Sequence, residues 1–159
     1  MMRELERLKF RGFRWEDFPV VLEFERELAM ISFPDSPILD ENYHRQKIEK
    51  ATGNKSDSLV VAELDRDIVG WLWLRTEKDR TSGERFGYVK SIYVKKEYRK
   101  SGIGRRLIRV AEERFLRKGL ARMNLIVNPS NREAVLFFRE MGFEESSLTM
   151  RRKLAAGDA

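Results

Sequence analysis

The chain has 159 residues, of which 42% are hydrophobic, enough for the core of one ordinary domain and too many for a disordered chain. It contains no cysteine and a single histidine, His44, so disulfides, thiol catalysis, thiolate metal sites and multi-histidine metal sites are excluded. The net charge of +6 at pH 7 and the isoelectric point near 9.7 favour an anionic partner: a nucleic acid, a membrane surface or a phosphorylated cofactor.

Apolar runs and linkers decide the membrane and domain predictions. The longest apolar run, Ile68 to Leu74, is far shorter than the roughly 20 residues that a membrane span requires. Residues 1–9 alternate charged and apolar side chains, unlike a secretory signal. We therefore expect a cytoplasmic protein with no membrane partner. Because no repeat and no Pro/Gly-rich linker divides the sequence, we expect one domain over residues 1–159, with a frayed tail at 155–159.

The N-terminal part of the chain predicts a strand followed by two helices. Apolar residues over 8–13 indicate a short strand. Asp17 is typical of a helix N-cap, with a proline in the first turn after it. An apolar stripe at helical spacing follows: Val21, Phe24, Leu28 and Ile31. A loop at 33–39 contains two prolines and precedes a second helix over 40–51, on which we expect His44 to be a surface residue.

The middle of the chain predicts strands and then a long helix. The expected elements are strands at 59–64, 68–75 and 86–95, a polar loop at 77–85 and an amphipathic helix at 101–118. The first two strands are rich in Val, Ile, Leu and Trp and predict a hairpin that turns at 65–67. Gly119 is typical of the residue that ends a helix.

The C-terminal part predicts a short strand at 125–127, a helix and a returning strand at 143–154. Ser130 and Glu133 have the spacing of a capping box. One face of the helix that follows is apolar: Ala134, Phe137, Phe138 and Met141. Gly142 would end this helix. The whole order of elements predicts an α/β fold around a central mixed sheet.

The stretch most informative about chemistry is Tyr93 to Leu107, where a strand ends, a tight turn contains Gly102 and Gly104, and a helix begins. Glycines there let main-chain N–H groups approach a ligand closely, and a helix N-terminus attracts anions. The side chains around the turn are basic: Arg99, Lys100, Arg105 and Arg106. These features predict a phosphate-binding turn, although a plain strand–helix turn could also contain both glycines.

Three short motifs narrow the kind of turn. A dinucleotide fingerprint is disfavoured because Leu107 occupies the position of its third small residue, and no mononucleotide P-loop sequence is present. The first motif is Arg99-x-x-Gly102-x-Gly104, preceded by Ile92-x-Val94. The second is Asn131-x-x-Ala134-x-x-Phe137-Phe138-x-x-x-Gly142-Phe143, and the third is Arg14-Trp15-Glu16-Asp17 before a helix near the start of the chain. In this order and spacing the motifs resemble the GNAT superfamily of N-acetyltransferases.

The resemblance spans roughly residues 8–154 and implies the fold and the division of labour along it. It implies a single-domain GNAT-like fold, with a central mixed, twisted sheet of about six or seven strands flanked by about four helices. The N-terminal helices and the loop that chooses the acceptor would lie over about 14–57. The acetyl-CoA-binding core would lie over about 86–143.

The resemblance also implies the roles of site residues. Main-chain groups of Ile92 and Val94 would pair with the pantetheine arm of acetyl-CoA, and Asn131 would hydrogen-bond to it. Main-chain N–H groups from 99 to 105 would hold the pyrophosphate. The N–H of Ile92 would stabilise the oxyanion formed as an amine attacks the thioester. The implied cofactor-binding residues are Ile92, Tyr93, Val94, Arg99, Lys100, Ser101, Gly102, Ile103, Gly104, Arg105, Asn131 and Phe138.

Two positions depart from the family pattern. Many members carry a tyrosine that protonates the leaving thiolate, where this chain has Phe138, so the proton donor is open. Some members use a glutamate on the fourth strand as general base, where this chain has Tyr88. Tyr88 could orient a water while Glu84 or Asp79 accepts the proton, or it could simply pack in the sheet.

Three functions are consistent with these observations. The leading one is N-acetyl transfer from acetyl-CoA, with no metal, to a primary amine on a small molecule or peptide by direct attack in a ternary complex. An acyl-CoA-binding sensor or regulatory protein is the alternative, because Phe138 and Tyr88 replace the usual acid and base. A nucleic-acid-binding protein is a remote third, since the charge is spread along the chain, and we expect no nucleic-acid partner. A homodimer is left open.

Overall fold

The computed structural model describes residues 2–156, and these form a five-stranded sheet with helices on both faces. The helices are α1 (Met2–Leu5), α2 (Phe18–Ser32), α3 (Glu41–Thr52), α4 (Ile103–Arg117) and α5 (Arg132–Glu140). The strands are β1 (Lys9–Gly12), β2 (Asp57–Leu64), β3 (Asp67–Lys78), β4 (Arg85–Val94) and β5 (Met123–Asn124). Single 3-10 turns occupy Trp15–Asp17 and Lys96–Tyr98. Residue 1 and residues 157–159 of the predicted tail lie outside the described residues.

The strands lie in chain order across the sheet. β1 to β4 are antiparallel neighbours, and β5 runs parallel to β4, so the sheet is mixed and the predicted α/β class is confirmed. β2 and β3 form the predicted hairpin, with Asp65 at φ 49° and Arg66 at φ 72° in its turn. Two consecutive left-handed residues are the geometry that matches the twist of the flanking strands.

Within residues 2–156 the sheet has five strands rather than the expected six or seven. The segment predicted as the last strand, 143–154, has no regular structure, and its apolar side chains Leu148, Met150 and Leu154 are 80%, 85% and 79% exposed. The strand before it, β5, pairs with β4 through only two residues, so its other edge offers little main chain for a further strand. The expected number of helices is confirmed by the four long ones; α1 adds a single turn.

Each face of the sheet carries its own apolar core. One core packs β2, β3 and β4 against α4, with Leu72, Leu107 and Phe115 among its buried residues. The other packs the opposite face against α2 and α3, and we call this side of the sheet the α2/α3 face. Trp71 and Trp73 lie in this second core at 0% and 1% exposure, so both tryptophans pack on the sheet.

Helix α2 begins at a buried ion pair rather than at a capped turn. The Asp17 carboxylate makes no side-chain cap to α2. It accepts two hydrogen bonds of 2.8 Å from the Arg11 guanidinium and one of 2.8 Å from the Arg14 N–H. Although burial would raise the pKa of Asp17, the bonds from Arg11 and Arg14 outweigh it and hold the pKa below its usual value. The pair ties β1 to the start of α2.

Helix α5 begins one residue away from the predicted cap. Asn131 is the N-cap, and its side chain accepts a 3.3 Å bond from the Ala134 N–H. The predicted capping box of Ser130 and Glu133 is therefore wrong. The Ser130 hydroxyl instead donates to the Asn128 side chain at 2.9 Å, so it does not cap the helix.

Candidate active site

Strands β4 and β5 part almost as soon as they meet. Their pairing is limited to Gly87 with Met123 and Tyr88 with Asn124, next to a 2.8 Å bond from the Gly87 N–H to the Arg122 carbonyl. β4 then continues to Val94, and among the described residues no strand pairs with that part of its edge. The main chain from 89 to 94 therefore has no strand partner on this side within residues 2–156, and we call the region along this unpaired edge the slot.

A bulge in β4 lies beside the slot. The register with β3 passes from Trp73 opposite Ser91 to Leu74 opposite Val89, which leaves Lys90 as the extra residue. A bulge reverses which face successive side chains occupy. Beyond it, Ser91 faces the α2/α3 side, whereas Ile92 packs on the core under α4.

The glycine-containing turn lies at the start of α4. Lys100 has φ 61° and Gly102 has φ 96°, so the chain turns sharply through left-handed geometry. Gly102 is the N-cap and has no side chain to satisfy the first N–H groups of α4, which lack intrahelical acceptors. A Cβ on Gly104 would lie 3.1 Å from the Phe137 ring, so this glycine also lets α5 approach α4. The result is an uncapped helix N-terminus suited to an anion.

The basic side chains around this turn are mostly held by the protein. Arg99 donates to the Val94 carbonyl at 2.9 Å. Arg105 reaches Glu140 at 3.4 Å, and Arg106 donates to the Leu5 carbonyl at 2.7 Å. Their charges therefore surround the turn in fixed positions, while an anion there would be bound mainly by main-chain N–H groups.

Helix α5 places Asn131 and Phe138 at different depths. Asn131 is half-buried at the start of the helix, with its side-chain oxygen used for the cap. Phe138 is 9% exposed and its ring lies 5.3 Å from that of Phe137 and 5.6 Å from that of Phe143. Phe138 is thus part of an aromatic cluster at the contact of α5 with α4.

Tyr88 stands where β4 and β5 part, opposite Arg75 on β3 and Asn124 on β5. Burial, together with the charge of Glu77, raises the pKa of Tyr88. The phenol is therefore protonated at neutral pH, and it can orient or donate to a neighbour but is a weak proton acceptor.

The two loop carboxylates considered as bases are already engaged. Asp79 accepts bonds of 2.8 and 2.9 Å from the N–H groups of Thr81 and Ser82, and these bonds lower its pKa. Glu84 pairs with Arg122 at 3.1 Å. Both groups are held in the β3–β4 loop as acceptors of existing hydrogen bonds.

A buried carboxylate on the α2/α3 face was missed by sequence reasoning. Glu25 on α2 is 8% exposed, and the Ser91 hydroxyl donates to its two oxygens at 3.2 and 3.1 Å. Burial raises the pKa of Glu25, opposed in part by Ser91 and by the charge of Lys90. The Trp71 indole N–H faces this carboxylate and opposes the raised pKa of Glu25, but it makes no hydrogen bond within residues 2–156. The signal in the sequence was a glutamate within the apolar stripe of a helix.

Lys90, the extra residue of the bulge, lies on the same face. Its Nζ is 3.5 Å from the centroid of the Trp73 ring. Burial, with the nearby charge of Arg75, lowers the pKa of Lys90 to about 8. Lysines with a pKa near neutrality are unusual outside functional sites.

Tyr93 on β4 and His44 on α3 also lie on the α2/α3 face. The Tyr93 hydroxyl donates to Glu27 on α2, its ring stacks on Phe24 at 4.4 Å, and burial with the bond to Glu27 raises its pKa to about 12. His44 is 8% exposed and its Nε2 lies 2.8 Å from the Ile38 carbonyl. The prediction of a surface His44 is wrong, because this bond draws the ring under the loop before α3.

Taken together, the structure brings Tyr88, the bulge and Ile92 to one edge of the slot, and the 99–105 turn to the adjoining end of β4. A mixed sheet that parts its last two strands beside an uncapped, glycine-containing helix N-terminus is the arrangement of an acetyltransferase fold. The model of the Acetyltransferase (GNAT) family matches residues 13–143. The chain belongs to this family.

Known proteins similar to this chain carry acetyltransferase names. YycN, an N-acetyltransferase of Bacillus subtilis that has not been characterised, is 29% identical over 90 residues, 57% of this chain and 56% of YycN; the chain thus matches little more than half of that relative. The acetyltransferase SG1711 of Sodalis glossinidius is 24% identical over 149 residues, 92% of this chain and 96% of SG1711. The structure of the aminoglycoside N-acetyltransferase AAC(6')-Iy in complex with CoA superimposes with a TM-score of 0.77 at 17% identity, covering 92% of this chain and 94% of that one. Within residues 2–156 no helix combines the length and apolar character needed to cross a membrane.

Proposed function

We propose that this protein transfers the acetyl group of acetyl-CoA to a primary amine. The observation that carries the proposal is the juxtaposition of the slot along β4 with the uncapped N-terminus of α4. An extended chain with hydrogen-bonding amides fits the unpaired edge of a strand, and a diphosphate fits the helix N-terminus. Acetyl-CoA carries both groups, and the similar structure AAC(6')-Iy is a complex with CoA.

The binding roles follow from this placement. Main-chain groups of Ile92, Tyr93 and Val94 border the slot and would pair with the pantetheine arm. The N–H groups of the turn would hold the diphosphate: Lys100, Ser101, Gly102, Ile103, Gly104 and Arg105. The Arg99 N–H, which the family resemblance includes, already donates to the Lys96 carbonyl at 3.3 Å. Asn131 can use its side-chain amide N–H₂ for the pantetheine, because its oxygen already caps α5. Phe138 would support that side of the cofactor through its aromatic cluster.

The chemistry is a direct attack in a ternary complex. The acceptor amine, once deprotonated, attacks the thioester carbonyl while the Ile92 N–H stabilises the developing oxyanion. The carbon–sulfur bond then breaks and CoA leaves as a thiolate, since a thiol of pKa near ~8.5 is a good leaving group. The chain has no cysteine, so no acyl-thiol intermediate forms on the protein. Tyr88, with its raised pKa, is suited to donate a hydrogen bond to a water or to the acceptor.

The acceptor is a small molecule or a peptide that carries a primary amine. It would approach from the α2/α3 face, and the loop between α2 and α3 together with the β3–β4 loop would select it. Because acetyl-CoA is a cytoplasmic metabolite, we place the protein in the cytoplasm. A homodimer and the lack of a nucleic-acid partner stay predictions from the sequence.

Release of thiol is the direct test. The protein is mixed with acetyl-CoA and, separately, with polyamines, amino acids, aminoglycosides and peptides, and free thiol is followed against a control without amine. At least one class is expected to raise the rate above that control. The thermal shift caused by CoA alone is measured in parallel. An unchanged melting temperature with no thiol release would contradict the proposal.

An acyl-CoA-binding sensor is the second candidate. It is favoured by Phe138, which fills the position of the usual proton donor with a buried ring, and by Tyr88, which is a weak base. A sensor would be stabilised by acetyl-CoA but release no thiol with any amine. Turnover of any amine eliminates it.

A further inference from the structure

Lys90 is an amine placed close to the proposed thioester position. It is the extra residue of the β4 bulge and precedes Ile92 by two residues. A strand advances about 3.3 Å per residue and a bulge interrupts that advance, so the two Cα atoms are at most roughly 7 Å apart. The four-carbon stem of a lysine, with its freely rotating bonds, can cover that distance.

The surroundings of Lys90 leave its amine without a carboxylate partner. Nζ lies over the Trp73 ring at 3.5 Å, and among the described residues no carboxylate oxygen lies within 4.0 Å of it. Both nearby acids are used elsewhere. Glu25 accepts from Ser91, and Asp57 accepts from the Trp73 indole at 2.8 Å and from Arg75 at 3.0 Å.

The charges that face Lys90 come from four elements. Arg75 on β3 and Lys47 on α3 favour its neutral form, in addition to burial, whereas Glu25 on α2 and Asp57 on β2 favour the charged form. His44 on α3 acts on Glu25. The balance lowers the pKa of Lys90 to about 8. About half of the side chain is then a free amine at pH 8, against less than about 1% for an ordinary lysine of pKa ~10.4.

We propose that Lys90 is a self-acetylation site, modified by the acetyl-CoA bound in the slot of the same molecule. The proposal rests on acetyl-CoA binding as proposed above. The Nζ lone pair forms a bond to the thioester carbonyl carbon, whose oxygen accepts from the Ile92 N–H. The carbon–sulfur bond breaks, CoA leaves as a thiolate, and the nitrogen releases one proton to solvent. The products are an acetylated Lys90 and free CoA.

The modification would limit the enzyme when acceptor is scarce. An acetylated Lys90 is longer and uncharged, and its amide would lie on the α2/α3 face beside the bulge. An acceptor amine that reaches the same thioester competes with Lys90 for it. Self-acetylation is therefore expected to be slow when acceptor is present and to run to completion when it is absent.

Mass spectrometry with isotope-labelled acetyl-CoA tests the proposal. The folded full-length protein is incubated at pH 8 without acceptor, and label is mapped by peptide digestion at Lys90 and at Lys95, a lysine of similar half-burial in the same part of the chain. Lys90 is expected to gain label at least about tenfold faster, given its larger free-amine fraction. Its rate should rise with pH and level off just above pH 8. Lys90→Arg should abolish label at this position, and Lys95→Arg should not change it.

Two controls separate enzyme-directed transfer from ordinary chemical acetylation. A CoA analogue without the sulfur, which cannot carry acetyl, should occupy the slot and suppress labelling of Lys90. Urea-unfolded protein should label Lys90 and Lys95 at equal rates. Equal rates in the folded protein, or labelling that the analogue does not suppress, would overturn the proposal. If CoA raises the melting temperature and Lys90 stays unlabelled, self-acetylation alone fails; if CoA has no effect on melting, the proposed function fails with it.

Discussion

Gly87 offers the sharpest test of the packing behind the slot. A Cβ at this position would lie 2.5, 2.5 and 2.6 Å from three ring carbons of Phe115, whereas carbon atoms in contact prefer about 3.5–4.0 Å. Strand and ring would therefore have to separate by about 1 Å. Phe115 is 4% exposed and packs in the core under α4. Gly87→Ala is expected to cost about 1–3 kcal/mol of the free energy of unfolding, as overpacked core positions do.

Urea unfolding measures this cost, and Gly12→Ala is the matched control. Gly12 is also a strand glycine, but a Cβ there meets nothing within 4 Å, so its replacement should change stability by no more than about 0.5 kcal/mol. In a Phe115→Leu background, Gly87→Ala should cost about 1 kcal/mol less than in the parent. Equal costs at Gly87 and Gly12, or an equal cost of Gly87→Ala in both backgrounds, would refute the reasoning.

Three further outcomes are expected. Gly102→Ala and Gly119→Ala both place alanine at positive φ, 96° and 75°, and each should lose roughly 1–2 kcal/mol of stability. Only the Gly102 variant should also lose the thermal shift caused by CoA. If both variants lose that shift, the role of Gly102 in binding CoA is refuted. Arg11→Ala leaves the Asp17 carboxylate buried without its partner and should destabilise the protein by about 3 kcal/mol in urea unfolding at pH 7. Because the pKa of Asp17 is lowered in the folded state, this loss should shrink as the pH falls below 3.8, the usual pKa of an aspartate. A loss independent of pH would contradict the role of the Arg11–Asp17 pair. Burial raises the pKa of Glu25 above its usual value of 4.5, so folding favours the protonated form, and this stabilisation disappears as pH rises through the folded-state pKa. Glu25→Gln should therefore make stability less dependent on pH above 4.5, and an unaltered pH dependence would count against it.

The elements with strong local periodicity could be read from the sequence. The helix α2 and the β2–β3 hairpin formed as predicted; Val21 and Phe24 of the α2 stripe are buried, whereas Ile31 near its end is 41% exposed. The prediction of a last strand was wrong because a strand needs a neighbouring strand to pair with, and β5 offers only Met123 and Asn124. The predicted cap of α5 was wrong because the Ser130 hydroxyl donates to the side chain of Asn128. The spacing of residues in the sequence does not reveal that contact.

Those parts of the candidate site that depend on local backbone geometry could be predicted from the sequence, and those that depend on tertiary packing could not. The glycines of the turn at 102–104 mark a local backbone geometry, so the motif could be read from the residues alone. The bulge at Lys90 depends on the register between β3 and β4, and the burial of Glu25 depends on how α2 packs on the sheet. Both depend on tertiary packing, although a glutamate within an apolar helical stripe is a sequence signal of a buried carboxylate. The lowered pKa of Lys90 follows from its burial and from the balance of charges on four separate elements.

Titration of the ¹⁵N-labelled protein with CoA tests the central claim most directly, since it observes the main-chain amides of the slot and of the turn. The amide signals of Ile92 and of residues 102–105 are expected to shift together and saturate at one equivalent, while that of Gly12 on the far edge of the sheet stays in place. Binding of CoA that leaves those signals unchanged, or no binding at all, would contradict the account.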